Sequence, residues 1–251
     1  MPSKVNFNSW VPPLSVAIII AIWYLFSLSG LPFLPSPSLV FRRLLILLFS
    51  GQILPDLSAS LMRLFLSFFG ALALGVPLGL LMGYLSFFYQ LLRFPVDFFR
   101  SVPATALFPL FMLFFGVGDF TKIVLIIFSC ALIMIVHTAA GVRQSAKVRR
   151  LAAQTMGANK FQIFKKVIFY DALPEIATGI KIILSFSLVL VIVLEMFIGT
   201  KQGLGRRIYD FHLSYRIADM YGLIILVGII GYFLNRLIRL FEKKVFHWFG
   251  K

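Results

Sequence analysis

The sequence predicts an all-α integral membrane protein, a single transmembrane domain over residues 1–251 with about six membrane-spanning helices. Three observations carry this. Of the 251 residues, 60% are hydrophobic and 13% are charged, against about 25% charged in an ordinary soluble domain. The mean hydropathy is +0.97. The charged residues also leave long uncharged intervals at Val5–Phe41, Leu64–Leu92, Ser101–Gly118, Ile123–Val142, Ile182–Leu194 and Met220–Asn235. A helix needs about 20 apolar residues to cross the hydrocarbon core, so the shorter intervals must extend into flanking turns or admit a charge near one end.

The first span covers residues 14–29. It is read as a retained helix because Pro12 and Pro13 precede the apolar run and no small-residue cleavage pattern follows. Pro32, Pro35 and Pro37 then forbid continuation. The second span, 57–85, carries Gly75, Gly79 and Gly83 at four-residue spacing. These share one helix face and allow a neighbouring helix close approach. The third, 102–115, contains Pro103 and Pro109, whose presence frees carbonyls that neighbouring helices or water must satisfy. Such a broken segment either spans or re-enters, and re-entry leaves five spans. The fourth, fifth and sixth cover 123–138, 174–198 and 218–239.

A formal net charge of +15 would suggest nucleic acid in a soluble chain. Here the basic residues lie between apolar spans, so topology accounts for them and the surrounding partner is the lipid bilayer. Arg143, Lys147, Arg149, Arg150, Lys160, Lys165 and Lys166 follow the fourth span, and Arg236, Arg239, Lys243, Lys244 and Lys251 follow the sixth. The positive-inside rule makes both regions cytoplasmic. Alternation then puts both termini and the Arg93 to Arg100 loop inside, and the turn at Asp119 and Lys122 outside. Lys201, Arg206, Arg207 and Arg216, between the last two spans, run against the rule.

The interval 144–171 has helical periodicity. Val148, Leu151, Ala152, Thr155 and Met156 form a modest apolar face opposite Lys147, Arg150 and Gln154. Gly157 suits a helix C-terminal cap and Asn159 an N-cap for a second short helix. Periodicity leaves two roles open: lying in the lipid headgroup layer, or docking a soluble partner through the small residues Ala152, Ala153 and Gly157.

Leu151-Ala152-Ala153-Gln154-Thr155-Met156-Gly157, followed by Val167 and Ala172-Leu173-Pro174, resembles the EAA loop of permease subunits of binding-protein-dependent ABC importers. Further fragments resemble the branch that handles sulfonates, taurine and nitrate: Leu34-Pro35-Ser36-Pro37, Ser60-Leu61-Met62-Arg63, Arg100-Ser101-Val102-Pro103, Gly116-Val117-Gly118, Gly141-Val142-Arg143 and Gly203-Leu204-Gly205. The ordered set extends over about nine tenths of the chain. Leu151 stands where the loop usually has Glu, and Tyr170 where this branch often has Pro, so the family's contacts carry to Ala152, Ala153, Met156 and Gly157 but not to residue 151.

The resemblance implies a type I importer permease fold with a cytoplasmic coupling helix between the fourth and fifth helices. It implies a bacterial cytoplasmic (inner) membrane location and a second membrane subunit, often a copy of the same chain. Two cytoplasmic ABC ATPase subunits and a periplasmic or lipid-anchored solute-binding protein complete the assembly, and access to a small polar or anionic solute alternates.

No G-x-x-x-x-G-K-[ST] phosphate loop occurs, so no cofactor is expected in this chain and ATP is expected on a partner subunit. His137, His212 and His247 are single and distant, and Cys130 is the one cysteine. No metal site or catalytic set is therefore expected. Glu195 falls inside an apolar stretch, where a charge is costly unless it meets water or a partner. It either lines the solute path or gate, pairs with Arg63 or Lys181, or is neutral. Pro103 and Pro109 are the other path candidates, through the backbone irregularity they impose.

Overall fold

In a computed structural model of the chain, residues 11–245 are described apart from Ala146 and Ile198. His247, Lys251, the amino terminus and the predicted end of the fifth span at Ile198 lie outside the described residues. Those described are helical throughout, joined by short turns. Helix α1 is Val11–Ser27, α2 Pro37–Phe49, α3 Leu54–Tyr84, α4 Ser86–Ser101, α5 Ala104–Phe115, α6 Asp119–Arg143, α7 Lys147–Thr155 and α8 Lys160–Ile163. A π-helical turn, Phe164–Ile168, leads into α9, Phe169–Met196, followed by α10, Leu204–Leu213, and α11, Ile217–Val245.

Four stretches are long and apolar enough to cross a membrane: Leu54–Tyr84, Asp119–Arg143, Lys160–Glu195 and Ile217–Leu240. The third expected span is a bent pair, α4 and α5, meeting at 103° around Val102 and Pro103. Helix α5 has 12 residues and is about 18 Å long at 1.5 Å per residue, too short alone for a core of about 30 Å. The Arg93 to Arg100 segment, expected as a loop, is the second half of α4, where both arginines flank Asp97. The apolar residues of α1 are largely exposed, with Ile19 65% and Phe26 64% accessible, as expected of a helix whose solvent is lipid.

The prolines that stop α1 also start α2. Pro37 occupies the first turn, where its missing N–H costs nothing, and the Ser36 side chain accepts from Leu39 N. Trp23 of α1 donates to Pro35 O at 3.1 Å and stacks on Tyr221 of α11. Together these contacts fix the outer layer.

The core is a sandwich of α3, α6 and α9. A Cβ added to Gly75, Gly79 or Gly83 would lie 2.6, 2.5 or 2.6 Å from side-chain atoms of Met134, Thr138 and Val142. The stripe on α3 therefore seats α6 at backbone contact, where dispersion and not the hydrophobic effect holds helices together in lipid. Helix α6 meets α9 in the same way, with Gly141 against the Ala172 carbonyl and Gly179 against His137. Leu125, Ile126, Cys130 and Met134 of α6 are fully buried as a result.

Candidate functional site

Two regions at opposite ends of this sandwich carry the polar chemistry. At one end lies α7. Its last turn closes through bonds from Gly157 N to Gln154 O and from Ala158 N to Ala153 O. Gly157 sits at φ +82°, the left-handed conformation that favours glycine. Asn159 and Gln162 then form a reciprocal capping box that starts α8.

The α7 helix is strutted to the first turn of α9. Arg149 pairs with Asp171 at 3.0 Å and Ser145 donates to the same carboxylate at 2.7 Å. Ala153 and Ala158 pack against the core beside Phe164, whose ring meets Tyr84 edge-on at 4.9 Å. The opposite face has no cover among the described residues. Val148 is 77% exposed and Met156 87%, Ala152 and Gly157 are exposed, and no atom lies within 4 Å of a Cβ built on Gly157. Sequence reasoning missed the Ser145–Arg149–Asp171 strut; its only signal was a lone acid in a basic segment.

At the other end is a cluster of three carboxylates and three cations: Asp56, Asp119 and Glu195 with Arg63, Lys122 and Arg207. Asp56, Ser60 and Arg63 recur at i, i+4 and i+7, so they share one face of α3. Glu195, with no exposed surface, is ion-paired to Arg63, has Ser60 Oγ 2.8 Å from its oxygens, and accepts from Gly205 N at 2.9 Å. Arg63 also donates to Asp119 at 2.9 Å and to the Gln202 carbonyl at 2.8 Å. Lys122, 1% exposed, stands 3.4 Å from both Asp119 and the Gly199 carbonyl.

The centre of this cluster is the amino terminus of α10. Gly203 N donates to Asp56, Leu204 N to Ser60 Oγ and Gly205 N to Glu195, each at 2.9 Å. First-turn N–H groups have no partner within their own helix, and the helix dipole favours negative charge there. Two carboxylates from other helices meet both needs, which offsets the cost of burying Glu195. A Cβ on Gly203 would lie 2.5 Å from the Glu195 carboxyl carbon, and one on Gly205 would lie 2.8 Å from Glu195 Cβ. Glycine at both positions is what lets the carboxylate reach the backbone.

Of the three alternatives open to Glu195, pairing is the one this geometry realises, and its partner is Arg63, because Lys181 pairs with Glu242 at 3.0 Å. A residue with no exposed surface lines no path in this conformation. Pro103 and Pro109, by contrast, are exposed, the first at the α4–α5 bend and the second within α5, where Leu113 is 84% uncovered. The His137 ring bonds Glu175 at 2.8 Å, a partly exposed polar pair between α6 and α9. Sequence reasoning left Glu175 out. Among the described residues no group of three or more His, Cys, Asp or Glu is placed to hold a metal ion.

The fold and its two polar ends define a polytopic helical membrane protein, with an uncovered face of α7 at one end and a clasped helix terminus at the other. Residues 75–247 match the family model described as binding-protein-dependent transport system inner membrane component, and the chain belongs to that family. A Brucella melitensis protein described as "Probable ABC transporter permease protein" is 33% identical, over 94% of this chain and 95% of its own length. The taurine transport system permease protein of Escherichia coli is 29% identical over 94% and 89% of the two chains. In structure, the chain is similar to a subunit of the inward-facing MetNI methionine ABC transporter. The TM-score is 0.63 at 22% identity, with 74% of this chain and 94% of the other covered. The protein is thus the permease subunit of an ABC importer, with the type I permease fold.

Proposed function

We propose that α7 and the turn that closes it are the coupling element gripped by a separate cytoplasmic ATPase subunit, through exposed Ala152, Met156 and Gly157, with half-buried Ala153 seating the helix on the core. The observation that carries this is a bare apolar face on a helix braced to α9 through Asp171. A handle transmits motion only if it is rigidly joined to what must move, and the Ser145–Arg149–Asp171 strut joins it to a spanning helix. ATP then binds the partner and not this chain.

In the same proposal two identical chains pair in the inner membrane with both termini cytoplasmic, and the solute path runs between them past Pro103 and Pro109. Exposure of both prolines and of Leu113 on α5 supports this. Three of the four basic residues that oppose the positive-inside rule are ion-paired, Arg207 with Asp56, Arg206 with Asp210 and Arg216 with Asp219, and the fourth, Lys201, is exposed. The solute is small and polar or anionic and arrives on an external solute-binding protein, in keeping with the family description and with the taurine relative. Glu195 and its cluster hold the outer end closed as a gate latch.

The test is co-purification of the ATPase subunit with wild type and with Met156→Glu. Met156 is 87% exposed, so the substitution leaves the fold intact. Loss of the ATPase, with unchanged thermal stability, is expected. Retention of the ATPase together with full solute-stimulated hydrolysis would remove α7 from the coupling role.

A further inference from the structure

A second polar site lies beside α7 and takes no part in the coupling face. The ends of α3 and α6, α7 and the π-turn border an open cavity of about 260 Å³ lined by Gly83, Tyr84, Val142, Arg143, Arg150 and Ile168. One water occupies roughly 30 Å³ of liquid, so the space admits a larger polar group.

Its two guanidinium groups have no anionic partner among the described residues. Asp171, the neighbouring acid, is taken up by Ser145 and Arg149. Arg143 lies over the Tyr89 ring at 3.9 Å, a contact that uses the face of the guanidinium and leaves its N–H edge free. Arg150 Nε is buried with no acceptor among the described residues. A buried charged donor without an acceptor is costly, and a planar guanidinium fork is matched to carboxylate or phosphate oxygens. Tyr84 belongs to the same lining. Two arginines without an anionic partner, one of them with an orphaned buried donor, lining a polar cavity at a membrane helix end together describe an oxyanion site.

We propose that the cavity lined by Tyr84, Arg143 and Arg150 binds a phosphate oxyanion, from the headgroup of an anionic phospholipid in the leaflet on the α7 side or from free phosphate. Because Arg150 stands on α7 and Arg143 at the end of α6, a phosphate held between them ties the handle to the helix it must move against. Occupancy then sets how tightly α7 is held.

The experiment uses the purified full-length chain in nanodiscs of phosphatidylcholine with and without phosphatidylglycerol. Retained phosphatidylglycerol is counted by native mass spectrometry, and inorganic phosphate binding is titrated separately. Wild type is expected to hold the phosphate ligand, and R143Q/R150Q to bind it at least about tenfold more weakly, the loss of one charge-assisted hydrogen bond or more. Phosphatidylglycerol retained in preference to phosphatidylcholine, with no effect of inorganic phosphate, assigns the site to lipid. Saturable inorganic phosphate binding without lipid preference assigns it to the free ion. If R143Q/R150Q does not fold, R150K replaces it, since it keeps the charge but loses the fork, and a smaller loss is expected. Binding of both ligands by the variant as tightly as by wild type, or of neither by wild type, overturns the proposal.

Discussion

Replacing Glu195 by glutamine separates a latch from a path residue. The carboxylate has no exposed surface and receives bonds from Arg63, Ser60 and Gly205 N. Glutamine keeps the volume but removes the charge, and its amide nitrogen must face at least one of these donors. Breaking a buried pair by removing one partner costs about 3–5 kcal/mol. Arg63 keeps Asp119 and the Gln202 carbonyl, so the lower end applies, about 3 kcal/mol. For a chain of this length a loss of about 1 kcal/mol moves the midpoint roughly 2–4 °C, which places the E195Q midpoint roughly 6–12 °C below wild type. The assay is thermal unfolding of the detergent-purified chain followed by intrinsic fluorescence, with E195Q, R63Q and the double variant compared. The double variant should be no worse than the sum of the singles and closer to the poorer of the two, because the residues share one network. A midpoint for E195Q within 2 °C of wild type, with transport abolished, would refute the latch and return Glu195 to the solute path.

Two further outcomes follow from the packing and the strut. A Gly79→Ala change introduces a Cβ 2.5 Å from Thr138 Cβ and 2.8 Å from the Ile135 carbonyl, and should destabilise by about 1–3 kcal/mol. Gly228→Ala, where a Cβ meets nothing within 4 Å, should not destabilise, and unfolding midpoints compare the two. Asp171→Ala releases Ser145 and Arg149 from α9; because Arg149 is 62% exposed, stability should fall by less than about 1 kcal/mol. In proteoliposomes holding the full transporter, the ATP hydrolysed per solute moved should rise as the handle loses its brace.

The strongly apolar parts of the fold were legible because an uncharged interval and a membrane helix obey the same constraint. The glycine stripe of α3, the break at Pro103 and the Gly157–Asn159 punctuation were legible for similarly local reasons. Helices α2, α4 and α10 were not. Each carries arginines within a turn of its apolar residues, such as Arg42 and Arg43 in α2 and Arg206 and Arg207 in α10. A scan for uncharged runs reads such amphipathic helices as loops, although Ser36-Pro37 is a helix-start signal in its own right.

The exposed half of the candidate site, from Ala152 to Gly157, came from a contiguous motif. The Glu195 cluster is non-contiguous. Glu195 announced itself as a buried charge, but its ligands come from residues 60, 63 and 205, and Asp56 gave no sign that it caps a helix beginning at Leu204. Side-chain caps reaching across the fold leave no periodicity to detect.

The separation of Arg63 from Glu195 along the chain has a consequence for synthesis. They are 132 residues apart, and at about 5–20 residues per second Arg63 leaves the ribosome on the order of 10 s before Glu195 exists. Its other acid, Asp119, follows only 56 residues behind it, so until α6 begins to emerge α3 carries an unneutralised arginine, at an insertion cost of about 2.5–3.5 kcal/mol if held at mid-bilayer. The first long span therefore has reason to linger near the aqueous boundary or the insertion machinery until Asp119 arrives, and the clasp can be completed only once α9 and α10 follow.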